Sequence, residues 1–121
     1  MVLTQTFLDD AEAEVLALVL STGTHIAIGT GTTTPASTDT ALETEVLRKT
    51  IQESSTSGST VTLSFWAATS EGNSNSFTEV GSFNAGATGD MIERDLFTAF
   101  AKTTEKELWI DVVFEVSTTQ S

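Results

Sequence analysis

The stretch Leu108-Trp109-Ile110-Asp111-Val112-Val113-Phe114-Glu115-Val116 decides the fold. Leu108, Ile110, Val112, Phe114 and Val116 recur at every second position, the period that puts side chains on one face of a β-strand. Working back along the chain, the same grammar repeats. Met91 to Phe100 and Phe77 to Phe83 read as strands, and Val61, Leu63 and Phe65 form one face of another, with Thr60, Thr62 and Ser64 opposite. Glu45 to Ile51 alternates Val46, Arg48 and Thr50 against Leu47, Lys49 and Ile51, and His25 to Ile28 is a short strand ended by Gly29-Thr30-Gly31. The connections Ser54–Ser59, Ser70–Ser76 and Asn84–Asp90 are rich in Gly, Asn and Ser, and Thr30–Thr40 holds the only proline, Pro35; such residues favour turns. About six strands with a turn every ~8–12 residues predict an antiparallel β-sandwich or small barrel.

Ahead of these strands the period is 3.6. Ala11, Val15, Leu18 and Val19 share a helical spacing that runs to Ser21-Thr22-Gly23. Thr6-Phe7-Leu8-Asp9 has the form of a capping box, and Asp9, Asp10, Glu12 and Glu14 load the first turns with the charge a helix N-terminus favours. A helix over about 9–20 is therefore predicted. No linker or internal repeat divides the chain, so residues 1–121 read as a single, mainly β domain with one N-terminal helix.

The 121 residues (12.8 kDa) are 39% hydrophobic, enough for a core. Cysteine is absent, which excludes disulfides, thiolate metal sites and cysteine nucleophiles. The formal charge of −12 disfavours nucleic acid and anionic membranes as partners. Acids are spread along the chain, while lysine is confined to Lys49, Lys102 and Lys106 and threonine fills 23 positions. This balance fits either an ordinary acidic protein or a halophilic source, one working in concentrated salt where the Debye length shrinks to ~3 Å at 1 M. No basic segment precedes the first apolar stretch, so a secretory signal is not expected. The run Val15–Leu20 is far short of the ~20 residues that span a bilayer.

Searching for chemistry yields little. Gly29-Thr30-Gly31-Thr32 lacks the third glycine, the lysine and the following helix of a phosphate loop, and reads as a strand-ending turn. His25 reads as a packing or hydrogen-bonding residue. Pairs such as Glu43/Glu45 and Glu105/Glu107 carry no glycosidase signal without geometry, and Asp90, Glu93 and Asp95 lack the spacing of an EF-hand. We therefore expect no catalytic, cofactor or metal site, and no enzyme. Trp66 and Trp109 lie opposite the apolar faces of their strands, which predicts either a second core layer or a subunit interface. Arg48, beside Glu43 and Glu45, and Arg94, beside Glu93 and Asp95, are expected to fork onto carboxylates of a neighbouring strand or subunit. Lys102 and Lys106 read as solvated turn charges. Phe7 and Leu8, with Val15 and Leu16, are candidates for contacts between protomers, or for covering one open end of the sandwich.

The order of several segments resembles small structural proteins of tailed viruses. These are His25-Ile26-Ala27-Ile28-Gly29-Thr30-Gly31-Thr32-Thr33-Thr34-Pro35, then Thr38-Asp39-Thr40-Ala41-Leu42 and Glu45-Val46-Leu47-Arg48-Lys49. Phe77-Thr78-Glu79-Val80-Gly81-Ser82-Phe83-Asn84-Ala85, Met91-Ile92-Glu93-Arg94 and Lys102-Thr103-Thr104-Glu105-Lys106-Glu107-Leu108 continue the likeness, which spans roughly residues 7–116. Ser82 stands where such proteins often carry Leu. The resemblance implies a virion part made in the host cytoplasm: a self-associating β module of decoration or vertex turret type. Its expected partners are copies of itself, as a trimer or pentamer, and the major capsid protein or other virion proteins. A tail-fibre or tail-tip component is the alternative. A carbohydrate-binding module would instead use an exposed Trp with the loops at Asn73-Ser74-Asn75 and Asn84.

Overall fold

A computed structural model describes residues 3–116. One helix, α1 (Gln5–Thr22), precedes seven strands: β1 (His25–Gly29), β2 (Glu45–Thr50), β3 (Glu53–Ser57), β4 (Thr60–Ala67), β5 (Asn75–Phe83), β6 (Met91–Lys102) and β7 (Leu108–Glu115). All pairings are antiparallel, in a four-stranded sheet of order β2-β1-β5-β6 and a three-stranded sheet of order β3-β4-β7. The two sheets pack together without closing into a barrel, so the sandwich alternative holds.

Between the sheets lies the core. Ile26 and Ile28 of β1, Phe77 and Val80 of β5, Val61, Leu63, Phe65 and Ala67 of β4, and Leu108 and Val112 of β7 form one buried cluster. The alternation that predicted β4 and β7 is the alternation that buries them. A second, smaller cluster lies on the outer face of the four-stranded sheet, where Ala27 and Phe83 meet Leu42 and Met91. It forms because the long β1–β2 connection folds back over that face.

Two expectations change. The helix begins a turn earlier than 9–20, because Thr4 rather than Thr6 is its N-cap: the Thr4 hydroxyl accepts from the Phe7 N–H at 3.4 Å. The side chain of Gln5 then donates to Asp9 one turn on, at 2.9 Å, bracing the added residues. Gly23 stops the helix as predicted, its N–H donating to Val19 O at 2.8 Å; a Cβ there would stand 2.6 Å from Leu63 Cδ1. The second change is β3 (Glu53–Ser57), which overlaps the segment Ser54–Ser59 read as a turn. Each of its residues is exposed, so no apolar alternation marks it, and only the ladder to β4 makes Glu53–Ser57 a strand.

Candidate functional site

The loop between β1 and β2 is organised by a buried carboxylate. Glu79, near the middle of β5, is fully buried, and its two oxygens accept backbone N–H groups from Gly31 at 2.7 Å, Glu43 at 2.9 Å and Thr44 at 2.8 Å. The guanidinium of Arg94, which faces it from β6, adds Nε at 3.0 Å. Burial pushes the Glu79 carboxyl up. The donors from Thr44, Glu43, Gly31 and Arg94 outweigh that and hold it below the ordinary carboxylate value. Arg94 Nη1 also reaches Asp39 of the loop at 3.3 Å. Gly29 and Gly31 are glycine because a Cβ at either would collide with the loop backbone or with Glu79. The turn read from Gly29-Thr30-Gly31 is thus a cradle for an internal carboxylate. Glu79 carries no signal in isolation; in space it is an acid in a strand against two glycines, Gly29 and Gly31.

Positive charges are mostly committed inside the chain. Arg94 is not partnered by Glu93 or Asp95, the acids adjacent in sequence, because successive strand residues point to opposite faces. Its partners are Glu79 and Asp39. Arg48 does pair with Glu45, at 2.7 Å, but not with Glu43, which instead accepts the N–H groups of Thr32 and Thr33 and the Thr33 hydroxyl. Arg48 further donates to the carbonyls of Ala85 and Thr88 and lies 3.7 Å from the centroid of Phe83, closing the β5–β6 turn over the outer cluster. Lys102, expected to be solvated, is buried, its Nζ donating to Asn73 Oδ1 at 2.9 Å and Thr103 O at 3.2 Å. Lys106 remains exposed, 5.6 Å from the Phe100 ring centroid. His25 is a hydrogen-bonding residue, its Nδ1 2.8 Å from the Thr24 hydroxyl.

Glu93 is the unusual acid. It stands opposite Ser82 in the β5–β6 ladder, and both Glu93 Oε1 and Ser82 Oγ are buried without a partner. Burial, reinforced by the neighbouring Asp95 carboxylate, pushes Glu93 up to about 8. A cleft of about 360 Å³ opens between β6 and the β1–β2 loop, lined by Pro35, Ser37, Asp39, Met91 and Glu93 among others. Asp90 takes no part in a cluster with Glu93 and Asp95, since its N–H donates to Asn84 Oδ1 in the β5–β6 turn. Among the described residues no three His, Asp or Glu side chains converge as metal ligands.

What is left uncommitted is apolar. Trp66 and Trp109 stand directly opposite each other across the β4–β7 ladder, on the outer face of the three-stranded sheet. Neither joins the inner core. Trp66 is half-buried beneath Lys49, whose Nζ lies 5.1 Å from the ring and donates to Trp66 O and to Glu71. Trp109 is 48% exposed, and Val113 on the same face is 59% exposed. The indole N–H of Trp109 donates to Asp111 Oδ1 at 2.8 Å, which also accepts from the Ser64 hydroxyl at 2.6 Å, so the ring is oriented. Beside it a cleft of about 440 Å³ runs between β6 and β7, lined by Leu96, Phe97, Phe100, Trp109 and Ile110 among others. On α1, Leu16 alone is buried and Val19 packs against the core, which covers one end of the sandwich. Leu8 is half-buried, while Phe7 at 57% and Leu18 at 60% face outward.

No protein-family model matches the chain, and no curated protein matches it significantly. Among the described residues no helix is long and apolar enough to cross a membrane.

Proposed function

We propose that the chain is a structural protein of a tailed-virus particle: a self-associating β module that decorates or stabilises the capsid, as decoration or vertex turret proteins do. The observation that carries self-association is the oriented, half-exposed Trp109 beside exposed Val113 on an outer sheet face. An exposed, oriented Trp with an exposed Val on one sheet face, set on either side of Asp111, is the kind of feature that contact surfaces present. The virion assignment rests on the ordered segments that resemble tailed-virus structural proteins. Those segments have a common physical purpose here, since Gly31, Asp39, Leu42, Glu79 and Arg94 fasten one loop over one sheet. The charge balance supports assembly in concentrated salt.

Carbohydrate binding is less well supported, because the loop amides it would use are engaged. Asn73 Nδ2 donates to Thr69 O and Asn75 Nδ2 to Gly72 O and Asn73 O, while Asn84 Oδ1 accepts from Asp90. The test is protein mass spectrometry of purified tailed particles from the host that carries the gene. Recovery of the chain in constant ratio to the major capsid protein is the expected result. Its confinement to the soluble host fraction would overturn the assignment.

A further inference from the structure

The four strands at the sheet edges are protected unequally. An exposed edge offers unpaired N–H and C=O groups, and folds normally blunt it with bulges, charges, proline or brevity. β2 is bulged where its register with β1 shifts, and it carries Glu45, Arg48 and Lys49. β3 has five residues, all Glu, Ser or Thr. β6 is long but its ladder to β5 shifts register twice, and it carries Glu93, Arg94 and Asp95. β7 lacks bulge, proline and brevity, and its only charges are Asp111 and Glu115. Its ladder to β4 runs unbroken from Leu108 to Glu115, and it contains no Lys, Arg, Pro or Gly. Its inner face is apolar, with Ile110 and Phe114 only partly buried, and its outer face exposes Trp109 and Val113 in alternation with Asp111 and Glu115.

We propose that β7 pairs antiparallel with β7 of a second copy about a two-fold axis at Val112, joining two three-stranded sheets into one of six. This deepens the proposed self-association and rests on it. Sequence selects both the occupant and the register. A two-fold axis normal to the sheet keeps inner faces with inner and outer with outer, and the two registers that engage most of the strand are centred on Asp111 and Val112. Centring on Asp111 sets that carboxylate against its own copy, which is unfavourable for directly opposed like charges. Centring on Val112 removes every directly opposed like-charge pair. Asp111 then faces Val113 of the copy, Glu115 faces Trp109, Ile110 faces Phe114, and Val112 faces itself. The strand is therefore complementary to itself in this register, although the whole chain carries −12. The pairing also places the copy beside the β6–β7 cleft, where Phe97 and Phe100 gain cover. A trimer or pentamer would need a second contact, for which α1 offers Phe7 and Leu18.

Substitutions at the exposed Val113 test the register without touching the core. At ~0.15 M salt, where charges act over about 8 Å, Val113→Asp sets an acid against Asp111 twice per dimer. It should weaken association about tenfold or more by sedimentation equilibrium. Val113→Lys sets opposite charges there and should leave association equal or tighter. Because the chain lacks cysteine, an equal mixture of Asp111→Cys and Val113→Cys chains should oxidise to a mixed disulfide dimer faster than either alone. If the unmodified chain is a monomer, self-association and this pairing both fail. Should it associate while Val113→Asp has no effect and the mixed disulfide gains nothing, only the β7 pairing is overturned.

Discussion

Trp66 and Trp109 share one cross-strand position on the outer sheet face, yet Trp66 lies under the Lys49 side chain while Trp109 is half open to solvent. The same residue type on neighbouring strands thus has two roles. The Trp66 indole packs beneath the Lys49 ammonium, which bonds the Trp66 carbonyl and Glu71, whereas Trp109 contributes little to the isolated fold. Trp66→Ala should lower unfolding free energy by about 2 kcal/mol. Trp109→Ala should change it by less than about 1 kcal/mol while raising the monomer fraction. Denaturant titration and sedimentation velocity on the two variants separate these effects.

Arg94 and Glu79 form a buried pair whose role is internal. Glu79→Gln keeps the shape but leaves the buried guanidinium with only Asp39 as counter-charge, and removal of one member of such a pair costs about 3–5 kcal/mol. We expect a loss near the lower end of that range, since Asp39 remains. In a domain of this size it corresponds to a fall in thermal midpoint of roughly 10 °C or more. Replacing both residues by apolar ones should cost less than the sum of the two single replacements, although the N–H groups of Gly31, Glu43 and Thr44 lose their acceptor in the double variant. A loss in the double variant equal to the sum of the two single losses would show that the two side chains do not act as a pair.

Stability should also depend on pH through two acids of opposite sign. Glu93 binds its proton more tightly in the folded chain, at about 8 against an ordinary 4.5. Its favourable contribution is complete below about 4.5 and declines as pH rises, being lost through about 8. Glu79 is held below the ordinary value, so its contribution is present above 4.5 and lost as pH falls through its lowered value. Thermal midpoints of the parent should fall between pH 5 and pH 9. Glu93→Gln should flatten that decline, with its largest relative gain near pH 9. An unchanged slope in Glu93→Gln would contradict the burial of this carboxyl.

Much of the fold was legible because inner-face positions in β4 and β7 alternate strictly, with Val61, Leu63, Phe65 and Ala67 against Leu108 and Val112. β3 was illegible for the opposite reason: an exposed strand of Ser, Thr and Glu has no buried face to write a pattern. The outward placement of Trp109 followed from strand parity alone. The partners of Arg94 did not, because they come from residues 15 and 55 positions away. Likewise the buried Lys102 looked like a turn charge, since Asn73, which accepts from it, lies on a different loop.

A charge of −12 on 121 residues makes the compact state repel itself in dilute buffer. Arg48, Arg94 and Lys49 are already bound to internal acids, and 17 Asp and Glu stand against only 5 Lys and Arg in the chain. The thermal midpoint should therefore rise steadily from 0.05 M to multimolar KCl, as screening shortens to ~3 Å at 1 M. A midpoint independent of salt would contradict the reading of a chain adapted to concentrated salt.

The most direct measurement is the mass of the unmodified chain in multimolar salt, by sedimentation equilibrium over a range of concentrations. Self-association through the uncovered apolar face predicts a species of at least twice 12.8 kDa that shifts toward monomer on dilution. A single 12.8 kDa species at all concentrations would contradict it.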